Sequence, residues 1–245
     1  MIKLAVSGAH GRMGSTIASL AEKDRNCFQL TTLLEHKDHP KIKDPILGIT
    51  VTSDNNELRN ADALIEFTLP EGTMQNLEAC LKHKTKMVIG TTGLSEAQEK
   101  RVRDASKHIA IVYASNMSIG VNTLFKMIQI AGKSLRGIRD ISIGETHHIH
   151  KKDAPSGTAK TMQKQAQEAS GLNVRFNEDR IKREGEVIGY HEITFETEYD
   201  TLTITHNAKD RAMFALGALT AVKFLEDKER GLYSMQDVLG LNEAF

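Results

Sequence analysis

Residues 145–159 read Glu-Thr-His-His-Ile-His-Lys-Lys-Asp-Ala-Pro-Ser-Gly-Thr-Ala. Three histidines (His147, His148, His150) and two lysines (Lys151, Lys152) crowd into six residues. Imidazole and ammonium groups can supply both positive charge and a proton. Pro155 and Ser156 then read as a helix start, and the N–H groups of Gly157 and Thr158 fall in its first turn, where the helix itself offers no partner. A helix N-terminus suits a carboxylate, and cations beside it imply a substrate with more than one negative charge. A histidine metal site and a solvated basic loop are the plainer readings. No carboxylate or cysteine ligand set accompanies the histidines in an obvious way. The segment is therefore read as an anion-binding, proton-donating site with no metal.

A second group of residues points to a nucleotide. Gly8-Ala9-His10-Gly11-Arg12-Met13-Gly14 follows a short apolar strand and opens directly into a helical pattern. Glycines there permit a tight turn and let the backbone approach a pyrophosphate at the helix N-terminus. The spacing is G-x-x-G-x-x-G, not the stricter G-x-G-x-x-G, so its position in the chain strengthens it more than its pattern. Glu35 ends the next strand, where an acid can accept hydrogen bonds from an adenosine ribose. Gly90-Thr91-Thr92-Gly93 and Ala114-Ser115-Asn116-Met117 also follow apolar strands. Both should lie at the carboxyl edge of a sheet, where doubly wound folds bind ligands.

These groups need a scaffold, and the first half of the chain supplies one. Strands are expected over residues 3–7, 28–34, 62–68, 86–89 and 109–113. Helical patterns fall at 12–23, 71–82 and 95–107. Buried apolar strands alternating with helices imply a parallel sheet covered on both faces. The pattern then changes. A long helix is expected over 118–135, a strand over 138–145, and a helix over 156–170 with Gly171 as its stop. Extended Thr- and Glu-rich segments follow at 187–199 and 201–205. A final helix at 210–227, apolar nearly all round in its middle, should be buried.

Composition narrows the function classes. Of 245 residues, 40% are hydrophobic and 26% charged, which is globular. Lys plus Arg and Asp plus Glu both number 32, so no global field draws in nucleic acid or an anionic membrane. Tryptophan is absent and aromatics are 5%, which leaves few stacking platforms for single-stranded nucleic acid. Cys27 and Cys80 lie far apart and read as reduced, packed thiols. The most apolar stretch, residues 212–222, is too short to span a membrane, and the N-terminus lacks the features of a signal peptide. A cytoplasmic location is expected.

The sequence resembles the dihydrodipicolinate reductase family of the diaminopimelate route to lysine. The matching stretches are GAHGRMG (8–14), IEFTLPEGT (65–73), VIGTTG (88–93), SNMSIGVN (115–122), ETHHIHKKDAPSGTA (145–159) and THNAKDRAMFALGALTA (205–221). The HHxHK-x-DAPSGTA string is far more specific than the glycine run. The resemblance implies an α/β fold: a Rossmann-like doubly wound parallel sheet plus a second α+β domain with a mixed sheet. The nucleotide domain would take residues 1–118 and 213–245. A substrate-binding and oligomerisation domain would take 119–212 and build a homotetramer. His147 and Lys151 match the family's proton-transfer residues, and His148, Gly157 and Thr158 those that hold substrate carboxylates. Gly8, Ala9, His10, Gly11, Arg12, Met13, Glu35, Gly90, Thr91, Thr92, Ala114, Ser115, Asn116 and Met117 match its cofactor contacts.

Two departures accompany the resemblance. His36, followed by Lys37, stands where many members carry an arginine beside the acidic residue, which bears on the choice between NADH and NADPH. The stretch between Gly171 and Gly189 is shorter than usual and lacks the family's glycine-rich loop. The expected reaction is hydride transfer from NADH or NADPH to a cyclic imine dicarboxylate. The competing readings are an NAD(P)-dependent amino-acid dehydrogenase, such as one acting on aspartate, and a nucleotide-sensing regulator without turnover.

Overall fold

The computed structural model describes residues 1–242. They fall into two compact units, Met1–Ser118 with the chain from Ala212 onward, and Ile119–Arg211.

The first unit is a parallel sheet with helices on both faces. In chain order it contains β1 (Ile2–Ser7), α1 (Arg12–Lys23), β2 (Phe28–Leu34), the short hairpin β3 (Pro45–Ile46) and β4 (Ile49–Thr50), β5 (Ala63–Glu66), α2 (Pro70–His83), β6 (Lys86–Ile89), α3 (Glu96–Ala105) and β7 (Ala110–Tyr113). The second unit holds α4 (Ile119–Ser134), β8 (Asp140–His147), α5 (Gly157–Ser170), β9 (Arg175–Arg183), β10 (Gly189–Glu196) and β11 (Thr201–Ala208). The chain then returns to the first unit with α6 (Ala212–Leu225), β12 (Gly231–Tyr233) and α7 (Met235–Val238).

The six-stranded sheet has the order β12-β7-β6-β5-β1-β2. β1 pairs in parallel with β2 on one side and β5 on the other, so the strand order reverses at β1. That reversal opens a crevice at the carboxyl end of β1, where this class of sheet takes its ligands. Leu4, Ala5 and Val6 are fully buried because both faces are covered. Ile17 and Ala18 of α1 share a core with Ala218 and Val222 of α6. Leu77 and Cys80 of α2 share another with Val102 of α3. Both cysteines are free, and burial pushes the Cys80 thiol well above the usual range. In α6, Leu216 is 51% exposed, so the helix is not buried all round as its sequence implies.

The second unit is a mixed sheet of order β11-β10-β8-β9, antiparallel except that β8 and β9 run parallel. Residues of α4 and α5, including Phe125, Ile128 and Met162, build one core with Ile141, Ile143, Ile193, Phe195 and Ile204 of the sheet. β9 falls in the short segment for which the sequence gives no element. Its Arg-Phe-Asn-Glu-Asp-Arg-Ile-Lys-Arg run has little apolar content, and backbone pairing with β8 makes it a strand. The extended segments either side of residue 200 narrow to β10 and β11, joined by a turn in which Thr197 N–H donates to the Asp200 carbonyl at 2.9 Å.

Register in this sheet sets up the chemistry. Ile193 lies opposite Ile143 on one side and Ile204 on the other. Side chains alternate between faces, so the next row on the same face is Glu145, His191 and His206, again directly opposite one another. An apolar layer thus gives way in one step to a titratable one.

Candidate active site

In the first unit, Gly11 N–H donates to the Gly8 carbonyl at 2.8 Å and Ala9 N–H to that of Leu34 at 3.1 Å, closing a tight turn. Gly8 has a φ of +71°, a region L-residues rarely adopt. A Cβ on Gly14 would lie 2.1 Å from the Gly8 carbonyl oxygen, so helix and turn meet there without room for a side chain. Glu35 accepts the His10 N–H at 3.0 Å and the His36 N–H at 2.9 Å. Gly8, His10, Gly11, Glu35 and His36 border a cavity of about 810 Å³, lined also by Ser7, Lys37, His39, Phe67 and Asn76. The His10 and His39 rings stack with centroids 5.0 Å apart.

The other expected nucleotide residues are placed differently. Ala9 is fully buried and Met13 packs against the core. Arg12 is exposed at the start of α1 and does not line the cavity. Gly90–Thr92 and Ala114–Met117 lie after the carboxyl ends of β6 and β7, away from its lining. A Cβ on Gly90 would overlap the Phe67 ring, and Thr91 Oγ1 accepts the Thr68 N–H at 3.0 Å. Asn116 accepts the Ser118 N–H at 2.9 Å, and Met117 is buried. Sequence reading overlooked Glu66, which is fully buried behind the turn. It accepts hydrogen bonds from Thr68, Thr73 and Asn76, and Asn76 also donates to Ser7 Oγ at 2.8 Å. Burial raises the Glu66 carboxyl above its ordinary range.

In the second unit, β8 delivers Glu145 and His147, both buried. The loop after it carries His148, half-buried, and His150, exposed, whose Nε2 lies 3.6 Å from a Glu186 carboxylate oxygen. Lys151 Nζ sits 2.8 Å from Asp153 Oδ1, and this partner holds the Asp153 carboxyl below the usual range. Ser156 caps α5 by accepting the Ala159 N–H at 3.1 Å. Gly157 is exposed, and a Cβ built there meets nothing within 4 Å. Thr158 beside it is half-buried. The first turn of α5 is therefore open at Gly157, unlike the glycine turn at residues 8–14.

The tertiary structure also brings together a set that spacing concealed. Glu145, His147 and His191 each place a ligand atom within 4.8 Å of the others. Of the three clustered histidines in the sequence, only His147 joins it. Glu145 is already engaged by the Arg183 guanidinium at 3.1 Å and by the Ser156 N–H at 3.1 Å, so a built-in cation matches its charge. His147 and His191 meet edge to face, with centroids 4.9 Å apart. Burial pushes His147 down to about 4, against the pull of Glu145. Burial, reinforced by the neighbouring imidazoles, pushes His191 down to about 3. Both rings are neutral at pH 7.

This neutrality has a consequence for stability. Below the unfolded value of 6.5 the unfolded chain takes up protons that the folded one refuses. Stability must then fall as pH drops from about 6.5 towards 3–4. His191→Gln is expected to flatten that slope between pH 7 and 5, read as Tm against pH. An unchanged slope would mean that His191 is not held neutral.

A glycine turn at the switch point of a parallel sheet, with a separate mixed-sheet unit, is the build of oxidoreductases that use a nicotinamide nucleotide. The family model for the N-terminus of dihydrodipicolinate reductase matches residues 2–117, and the one for its C-terminus matches residues 120–239. The chain belongs to the dihydrodipicolinate reductase family. It is 39% identical to the 4-hydroxy-tetrahydrodipicolinate reductase of Nitrosomonas eutropha, over 98% of this chain and 99% of that protein. It is 38% identical to that of Syntrophotalea carbinolica, over 98% and 100%. Its fold is similar to a dipicolinate-bound dihydrodipicolinate reductase from Paenisporosarcina sp. TG-14, with a TM-score of 0.81 and 21% identity over 97% of this chain and 98% of that one. Aspartate dehydrogenase from Thermotoga maritima shares the fold more distantly, with a TM-score of 0.52 and 10% identity over 93% and 98%.

Proposed function

We propose that this chain reduces the cyclic imine dicarboxylate formed from 4-hydroxy-tetrahydrodipicolinate, giving tetrahydrodipicolinate on the diaminopimelate route to lysine. The carrying observation is the Lys151–Asp153 loop leading into an α5 N-terminus that is open at Gly157.

The residues of the first unit fit a dinucleotide. The Gly8–Gly14 turn can present backbone to a pyrophosphate at the start of α1. Glu35, held by two backbone N–H groups, keeps oxygen lone pairs for ribose hydroxyls. A reduced nicotinamide nucleotide held by these residues would supply the hydride. Gly157 and Thr158 take one substrate carboxylate at the α5 terminus, and His148 stands near the second. As hydride adds at C4, conjugated to the imine, electron density moves to the ring nitrogen. The cations of the loop stabilise that charge. His147, neutral when buried, has no imidazolium proton to give at pH 7. Lys151, which Asp153 holds in place, delivers the one proton that the charged ring nitrogen needs, and His147 orients the ring.

Glu35 favours free ribose hydroxyls and repels a 2′-phosphate, while Lys37 on the same cavity offsets that repulsion. Both cofactors are expected to work, with NADH at least as good. The test follows nicotinamide absorbance for NADH and NADPH with enzymatically generated substrate. Binding without oxidation would favour a nucleotide sensor. NAD reduction by an amino acid would favour a dehydrogenase.

The protein works as a cytoplasmic homotetramer, in which the edge strand β11 extends the mixed sheet between subunits. Light scattering that found only monomer at micromolar concentration would count against that assembly. None of the helices among the described residues is long and apolar enough to cross a membrane.

A further inference from the structure

The backbone at Lys151 and at the start of α5 is tied to the sheet beneath it. Arg183 is the last residue of β9 and lies opposite His147 in the parallel pairing. Its Nη2 donates to Glu145 Oε1 at 3.1 Å and also to the Asp153 carbonyl. Its Nε donates to the Lys151 carbonyl at 3.3 Å. On the other side, both oxygens of Glu145 accept the Ser156 N–H, at 3.1 and 3.3 Å. A single ion pair therefore reaches the backbone of Lys151, Asp153 and Ser156. The outer half of the loop is tied to the segment after β9, where Glu184 N–H donates to the His147 carbonyl at 2.7 Å and Ile149 N–H to that of Gly185 at 3.1 Å.

We propose that Glu145 and Arg183 are a positioning pair that fixes, from beneath, where Lys151 and the first turn of α5 meet the substrate. The assignment rests on the reading of Lys151 and α5 given under Proposed function. Burying a carboxylate with a guanidinium gains little stability over an apolar pair of similar size. Its value here is geometric: a planar fork spans two carbonyls while it neutralises the acid that holds the helix start. Residues 149, 150 and 152–154 are exposed, so the loop has little packing of its own to fix its path.

The experiment compares Arg183→Lys, Arg183→Ala and Glu145→Gln in the full chain. Lysine keeps a cation against Glu145 but has no fork for two carbonyls. Arg183→Lys is expected to keep Tm near wild type yet lower kcat/KM by about tenfold or more, because small misplacements of catalytic groups are costly. KM for the dicarboxylate should rise and kcat fall, with NADH affinity unchanged. Amide exchange should quicken at Lys151 and Ser156 in all three variants. Glu145→Gln with Arg183→Lys should be no worse than the worse single variant, since the two act as one unit. Unchanged kcat and KM in both Arg183→Lys and Glu145→Gln would overturn the proposal. So would lost activity with unaltered exchange in the loop. Exchange is read without substrate. Were the wild-type chain to show no turnover, the activity assignment would fail separately, and exchange alone would judge the clamp.

Discussion

Lys151→Ala is expected to lower kcat by about 10²–10⁴-fold, the usual cost of losing a positioned proton donor. Geometry and charge carry the expectation together. Lys151 is held by Asp153 on a loop that runs directly into the open first turn of α5. The other candidate donor, His147, is pushed down to about 4 by burial and carries no spare proton at neutral pH. Lys151→Arg separates the two duties of the side chain. A guanidinium keeps the positive charge but does not release a proton near neutral pH, so KM should stay near wild type while kcat remains low. His147→Ala should lower kcat less than Lys151→Ala and raise KM. Nicotinamide affinity, measured separately by calorimetry, should not change in these variants, because the cofactor residues belong to the first unit. A near-normal kcat in Lys151→Ala would remove it as the donor and return the role to His147 or water.

Gly11→Val is expected to abolish measurable dinucleotide binding in a chain that still folds. Gly11 has φ −73° and ψ 164°, extended values open to valine. An added Cβ comes closest to the Gly8 carbonyl oxygen, at 3.0 Å, so a small adjustment of the turn accommodates it. Gly11 lines the cavity with Glu35 and His10, so an isopropyl group there is expected to crowd the place where a pyrophosphate would reach the N–H groups of α1. Gly14→Ala is the contrasting case. Its methyl would be driven into the Gly8 carbonyl at 2.1 Å, displacing helix from turn, so it should cost stability first and binding as a result. Tm together with calorimetric affinity distinguishes the two. Unchanged NADH and NADPH affinity in Gly11→Val would sink the placement of the pyrophosphate at this turn.

The stacked imidazoles of His10 and His39 show the limit of reading a site from a contiguous motif. His10 sits inside the glycine run, whereas His39 lies beyond β2, and only folding sets their rings in parallel over one cavity. Glu66 is similar. It stands at the end of an apolar strand, where period-2 reading has no reason to single it out. Its partners Thr73 and Asn76 come from α2, and Asn76 reaches on to Ser7 of β1.

Local features are legible in the amino acids alone. Short apolar runs specify β1, β5, β6 and β7, because strands buried on both faces need no polar alternation. The Ser156 cap and Gly171 stop specify α5, because cap chemistry is read within a few residues. The glycine turn, Glu35 and the cation-rich loop were legible for the same reason: each is a short segment whose chemistry does not depend on distant neighbours. The remaining features depend on strand register, which no short segment carries. β9 has no apolar signature and exists because β8 offers it an edge, and Arg183 reaches Glu145 only through that pairing. Glu145, His191 and His206 come from three different strands, and cross-strand alignment makes them a row. The neutral state of His147 and His191 follows from that alignment, since burial disfavours a charge that either ring would carry in water near its ordinary range.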